Sequence, residues 1–209
     1  MRPVTIRNRQ ALRRAIAELG TAEPVFERLH ALVGEPPLRL TRPGLATMLR
    51  VVTEQSISLK AAAAIWARLA AELDPASPPA VLAVPPERLR ALGLTMGKAR
   101  AFHGLAAAAS VGLFESLARM DDGTARNALV ALPGIGPWTA EIYLLVCLAR
   151  ADAWPAGDVA LQSAAGRAFG LDPRPTQREL ERLAEPWRPW RSVAARLLWA
   201  YYRHDATGA

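Results

Sequence analysis

The stretch Leu132-Pro133-Gly134-Ile135-Gly136-Pro137-Trp138-Thr139-Ala140 restricts the fold more than any other part of the chain. Before it, Ala125, Leu129 and Val130 recur at roughly helical spacing. After it, Trp138, Ile142, Leu145 and Leu148 recur at i, i+4, i+7 and i+10. Two helices joined by a four-residue turn are therefore expected. The two glycines, one residue apart, permit positive φ and leave bare backbone that another molecule can approach. Pro137 suits the first position of the second helix, where a missing N–H costs nothing. The result is a group of free amides at a helix start, which can hold a phosphate. Such a site senses backbone charge and not base edges, so it positions nucleic acid without specifying sequence. The alternative is a tight turn that uses Gly-X-Gly for packing alone.

The rest of the chain fits an all-α class, because no segment alternates with period two for long enough to make a strand. Residues 10–33 predict helix with Leu12, Ile16 and Leu19 on one face, Gly20 as a stop, and a further helical piece after Pro24. A long helix is expected from near Pro43 through Thr53, breaking near 56–58 before 61–73. Two short helices over 81–93, an Ala-rich helix over 98–111 and a short one over 113–120 precede the turn. Helices over 159–169, closed by Gly170, and over 176–184 and 193–202 follow it. The expected architecture is two helical lobes with a cleft between them: lobe A from about 35–145, lobe B from residues 1–34 and 146–209.

With 209 residues and 51% apolar composition, the chain can bury one good core or two small ones. No apolar run approaches the roughly 20 residues of a membrane span, and Met1 to Arg7 contain no signal-peptide core. A soluble, cytoplasmic monomer is expected. The formal charge is +7, and every basic residue except Lys60 and Lys98 is arginine. That excess favours a polyanionic partner through counterion release, or else reflects a chain rich in Ala, Pro and Arg throughout. Cys147 is alone, which excludes a disulfide framework, a cysteine zinc site and a four-cysteine iron–sulfur cluster.

Asp158 is the first candidate for chemistry. It stands just before Val159, where it caps a helix, and the amides that hold it favour its charged form. A carboxylate ionised at neutral pH can stabilise a positively charged sugar or draw a proton from water. Asp152, before Trp154 and Pro155, caps no helix and is the weaker rival.

The hairpin string resembles that of the helix-hairpin-helix (HhH-GPD) DNA glycosylase superfamily, whose signature is Leu/Phe-Pro-Gly-Ile/Val-Gly, two variable residues and Thr-Ala. The order hairpin, helix, loop of around ten residues, Gly/Asp-Asp and helix is also that superfamily's, and it puts the catalytic Asp at Asp158. Trp187-Arg188-Pro189-Trp190-Arg191-Ser192 followed by Leu198-Trp199-Ala200-Tyr201 is similar to the C-terminal segment of the bacterial 3-methyladenine DNA glycosylase II branch. There the pocket tryptophan falls on Trp199, with Trp138 as its companion, while Trp187 and Trp190 are expected to pack lobe against lobe.

The resemblance covers residues about 40 to 203 and implies a glycosylase of base excision repair that releases alkylated purines, such as 3-methyladenine and 7-methylguanine, from duplex DNA. Members that also cut the strand carry a lysine where this chain has Trp138, so hydrolysis by water without lyase activity is expected. Gly134, Ile135, Gly136 and Thr139 would contact DNA. So would Gln55 and Ser56, from the segment that fills the space left by a flipped base. Ser56 is too small to plug that gap alone, which leaves Gln55 or Ile57. Lys98, in the family's Gly-Leu/Met-x-x-x-Lys turn, would touch phosphate or else be a solvated helix-start lysine. No cofactor is required by the resemblance, although family hairpins often hold Na+ or K+ on backbone carbonyls, here those of Val130, Leu132 and Ile135. The α/β domain that precedes the longer bacterial enzyme is expected to be absent, and that enzyme's pocket tyrosines are replaced by Ile142 and Val159. A DNA partner implies association with the nucleoid. A non-catalytic damage-binding protein, or a glycosylase for another lesion, is the competing reading.

Overall fold

The computed structural model describes residues 3–206. Residues 1–2 and 207–209, the extreme ends of expected lobe B, lie outside the described residues. Among the described residues the chain forms α1 (Arg9–Ala22), α2 (Pro24–Val33), α3 (Leu45–Glu54), α4 (Leu59–Glu72), α5 (Pro78–Ala83), α6 (Pro86–Ala91) and α7 (Met96–Ser110). There follow α8 (Leu113–Leu117), α9 (Asp122–Val130), α10 (Pro137–Val146), α11 (Val159–Phe169), α12 (Gln177–Leu183) and α13 (Arg191–Ala206). The fold is all-α, and the sole β pairing among the described residues is an antiparallel bridge of Thr5 with Arg150.

Helix starts are set by short polar side chains that accept orphan N–H groups: Asn8 from Ala11, Ser58 from Ala61, Thr95 from Lys98, Asp121 from Thr124 and Asp158 from Leu161. Each such cap is worth about 1 kcal/mol. Thr176 and Glu179 close α12 with a reciprocal capping box. Gly170 ends α11 in the left-handed region at φ 63°.

The chain divides into two compact units. One contains residues 3–40 and the chain from Leu144 onward; the other is Thr41–Tyr143. In the first, Leu12, Ile16 and Leu19 of α1 and Phe26 and Leu29 of α2 are buried. Trp187, 1% exposed, is the centre of an aromatic cluster. Its ring meets Phe26 edge-on at 4.8 Å, Trp154 edge-on at 5.4 Å and Phe169 in a stack at 5.4 Å. Trp187 therefore packs in the interior of this unit, while Trp190, half-buried, donates its Nε1–H to Glu18 at 3.1 Å. Gly20 does not stop α1, which runs on to Ala22. It is buried where an added Cβ would touch the Cβ of Glu27 at 3.4 Å, so its smallness serves the approach of α2.

In the second unit, Leu45, Met48, Leu49 and Val52 of α3 and Ala99, Phe102, Leu105 and Ala106 of α7 make the core. Helix α3 starts later than Pro43 because Gly44, at φ 131°, precedes it; the Gly44 N–H donates to the Tyr143 hydroxyl at 2.8 Å. The expected break falls at 55–58, with Ser56 at φ 57°. Helix α7 carries the hairpin. A Cβ on Gly104 would come within 2.9 Å of Pro133 Cγ, and one on Gly134 within 2.8 Å of Ala101 Cβ. The small residues of α7 thus let the turn lie directly on it.

Candidate active site and nucleic-acid interface

The turn between α9 and α10 spans residues 131–136, two more than expected, because α9 ends at Val130 and α10 begins with Pro137 at its first position. Only Gly134 uses a positive φ, 76°. Gly136 lies outside that region, and an added Cβ there would meet nothing within 4 Å, which leaves its backbone open to approach. Ile135, 4% exposed, anchors the turn from below, and its N–H donates to Leu132 O at 3.2 Å. Arg126 of α9 pairs with Glu141 of α10, tying the two hairpin helices together.

Gln55 locks the preceding break to this turn. Its amide donates to Gly134 O at 3.3 Å and to Thr139 Oγ1 at 3.0 Å. The Thr139 side chain is accordingly buried at 3% exposure and works inward, so what it leaves for a ligand is backbone. Lys98 is not the solvated helix-start lysine that one sequence reading expected. Its ammonium donates to Thr53 O at 2.9 Å and Gln55 O at 2.7 Å, capping the C-terminal end of α3, and burial holds its pKa below the ordinary lysine value. Gln55, Lys98 and Gly134 line a groove of about 480 Å³ together with Ser56 and Ile57. Ser56 is exposed, and Ile57 exposes 38% of its surface as the apolar side chain beside it. Trp138 opens α10 in the same unit, 38% exposed.

In the other unit, Asp158 occupies the N-cap of α11. Its Oδ1 accepts the Leu161 N–H at 3.0 Å and the Trp199 Nε1–H of α13 at 3.2 Å. One carboxylate oxygen therefore joins a helix start to an indole, both half-buried. Asp152 belongs to a different network. It receives Nε of Arg191 at 2.8 Å and Nη2 at 2.9 Å, and also pairs with Arg188, which makes it a structural tie at the head of α13. Cys147 lies just past α10, buried, and burial pushes its thiol up to about 12.

One feature here was not foreseen from sequence. Trp199, Arg196 and Arg203 share a face of α13 and, with Arg39 and Leu145, line a pocket of about 290 Å³. Arg196 is 5% exposed and donates to the carbonyls of Pro37 (3.2 Å), Leu38 and Leu145 (3.3 Å); burial lowers its pKa to about 10. The spacing 196, 199, 203 is helical, but the segment that completes the pocket lies far away in sequence.

Residues 49–189 match the family model described as HhH-GPD superfamily base excision DNA repair protein. The chain belongs to the HhH-GPD superfamily. It is 31% identical over 210 residues to DNA-3-methyladenine glycosylase 2 of Escherichia coli strain K12, covering 92% of this chain and 66% of that protein. It is 47% identical over 81 residues to a probable bifunctional transcriptional activator/DNA repair enzyme AlkA of Mycobacterium tuberculosis; this is 38% of the chain and only 16% of the length of that relative. Among solved structures, the 3-methyladenine DNA glycosylase of Schizosaccharomyces pombe in complex with abasic DNA superimposes with a TM-score of 0.78. The identity is 28%, covering 89% of this chain and 95% of that one. Among the described residues no HhH-GPD helix here is long and apolar enough to cross a membrane, and no group of three or more His, Cys, Asp or Glu side chains is set to hold a metal.

Proposed function

We propose that this HhH-GPD chain is a monofunctional DNA glycosylase that hydrolyses the N-glycosidic bond of alkylated purines in duplex DNA and leaves an abasic site. The observation that carries the reading is Asp158, whose Oδ1 is held by the start of α11 and by the Trp199 indole. Held this way, the carboxylate is pre-aimed and needs no reorganisation when positive charge develops on the sugar, the condition under which electrostatic stabilisation is largest. The names of the E. coli relative and of the S. pombe structure with abasic DNA support the substrate class and the product.

In the proposed reaction, water bonds to C1′ as the C1′–N bond breaks and its electron pair leaves with the base. A purine alkylated at a ring nitrogen departs neutral, having carried a positive charge while attached, and the water proton passes to Asp158 or to solvent. No general acid is then needed. Trp199, and Trp138 as its assigned companion, attract the cationic base by cation–π interaction worth about 0.5–2 kcal/mol each. The open backbone at Gly136 would grip the strand, and Ile57 is the apolar side chain proposed to fill the stack when the base is flipped, a step that costs least for a damaged pair.

Trp138 stands where a Schiff-base lysine would, and Lys98 donates to Thr53 and Gln55, which supports hydrolysis without a lyase step. Carbonyls of Val130, Leu132 and Ile135 would hold Na+ or K+ if one binds. Leu132 O accepts a single Ile135 N–H and has a second lone pair to offer, and the ion would add positive charge behind the phosphate grip. The chain is proposed to act as a monomer at the nucleoid. Base release from defined duplexes carrying 3-methyladenine, 7-methylguanine, hypoxanthine or 8-oxoguanine tests the reading. Release of the methylated purines supports it, and tight abasic-DNA binding without release of any base would favour a damage-binding protein instead.

A further inference from the structure

The pocket on α13 is concentrated in one sign of charge. Three of the residues lining it are arginines, Arg39, Arg196 and Arg203, and none is acidic. Arg196 forms its floor. It is more than nine-tenths buried, its Nη groups are committed to backbone carbonyls, and its Nε has no hydrogen-bond partner. Arg39 reaches the pocket from backbone in the left-handed region, φ 47°; burial disfavours the charge on Arg203, and the Arg39 charge disfavours it further. A monoanion placed beside Arg39 and Arg203 would relieve the repulsion between them and could take planar, paired hydrogen bonds from their guanidinium groups. Trp199 is at once a wall of this pocket and the donor to Asp158, so the pocket lies one indole away from the carboxylate.

We infer that the pocket formed by Arg39, Arg196, Arg203 and Trp199 is an anion site for a DNA backbone phosphate, gripping the strand close to the nucleotide whose sugar meets Asp158. This is a second grip, built from side-chain charge on α13 where the hairpin offers backbone amides. It explains why arginine is used: a phosphodiester presents two non-bridging oxygens that a guanidinium fork matches. Arg196 is the positioning member, because its other bonds hold the segment that carries Arg39. Arg39 and Arg203 are the exposed members that would touch the ligand.

The inference rests on the glycosylase reading, but its test needs no base release. Binding of the full chain to a duplex with one tetrahydrofuran abasic analogue is measured across a range of salt concentrations for wild type, Arg39→Gln, Arg203→Gln and the double variant. Arg39→Lys and Arg203→Lys serve as charge-preserving partners. Each Gln variant should weaken binding about three- to tenfold near physiological salt and reduce the slope of log affinity against log salt by about one, and the Lys variants should restore the slope. Urea midpoints show whether a variant is still folded, and the Lys variants keep the test decisive if a Gln variant is not. Unchanged affinity and slope would overturn the inference. So would stabilisation of wild type by inorganic phosphate with no effect of the variants on DNA binding, which would mark a free-anion site. Unaltered DNA affinity with selective loss of hypoxanthine release would also overturn it, since the arginines would then contact a base. Failure to release any base while the slope result holds would count against the glycosylase reading alone.

Discussion

Asp158 is asked to do two jobs, and two substitutions separate them. In Asp158→Ala the Leu161 N–H and the Trp199 Nε1–H, now 3.0 Å and 3.2 Å from Oδ1, both lose their acceptor. Loss of an N-cap costs about 1 kcal/mol, and a half-buried indole N–H left without its partner about 1 kcal/mol more. The sum, about 2 kcal/mol, shifts a urea midpoint by roughly 1 M for a slope of about 2 kcal/mol/M. Asp158→Asn keeps a carbonyl oxygen in place, and Asn caps as well as Asp, so its stability should stay within about 0.5 kcal/mol of wild type. It removes the negative charge, however. A unit charge about 4 Å from a developing positive charge, at an effective dielectric constant near 20, is worth about 4 kcal/mol, or roughly a thousandfold in rate. Urea denaturation and single-turnover release of 3-methyladenine from methylated duplex therefore separate the two jobs. Ala is the less stable variant, whereas Asn is nearly as stable as wild type and still about a thousandfold slower. An Asn variant that releases base within tenfold of wild type would refute a charge-based role for this carboxylate.

Other expectations follow from the same geometry. Gly134→Ala forces a side chain into φ 76° and against Ala101 Cβ at 2.8 Å, and should lower stability by about 2–4 kcal/mol in thermal or urea unfolding. Gly136→Ala has open space around it and should leave stability within about 0.5 kcal/mol while weakening DNA binding, because the added methyl faces the ligand and not the fold. Borohydride added to wild type with abasic DNA should trap no covalent adduct; a trapped adduct on gel electrophoresis would place a Schiff-base amine at the site. Cys147, with its thiol pushed up to about 12 by burial, should stay unreactive toward a thiol reagent at pH 8 in native protein and react fully in denaturing urea.

Helix positions were readable because this chain marks its helix starts chemically. Asp158 was read as a cap; Ser58, Thr95 and Thr176 obey the same local rule, each accepting an N–H from a residue three positions on, and the helices they open start within two residues of the expected places. Gly20 and Gly136 were harder because glycine has two uses. As a stop or turn residue it needs positive φ, a local matter. As a space for a neighbour it needs a partner that no local rule supplies. Gly20 is of the second kind, its space taken by Glu27, while Gly136 has neither a positive φ nor a neighbour. The partners of Trp187 were hidden for the same reason: an aromatic residue in a C-terminal segment gives no sign of which core it enters.

The candidate site divides along the same line. Asp158 and Gly134 were readable because a capping carboxylate and a turn glycine act through their own backbone neighbourhood. Lys98 was not, since the carbonyls it caps, Thr53 and Gln55, lie on another helix and nothing in the turn around Lys98 specifies them. Nor was the arginine pocket, where the sequence shows only a basic helix among many arginines. What singles out Arg196 is burial, and burial of a guanidinium is tolerated only because three carbonyls from two distant segments converge on it. The +7 charge of the chain was ambiguous between a polyanionic partner and compositional bias as long as the arginines were counted together. Placement separates them. Arginines such as Arg88, paired with Glu72 on the surface, are balanced locally and say nothing of a partner. Arg39, Arg196 and Arg203 converge on one pocket with no acidic residue in its lining, an arrangement that a composition bias acting evenly along the chain gives no reason to expect.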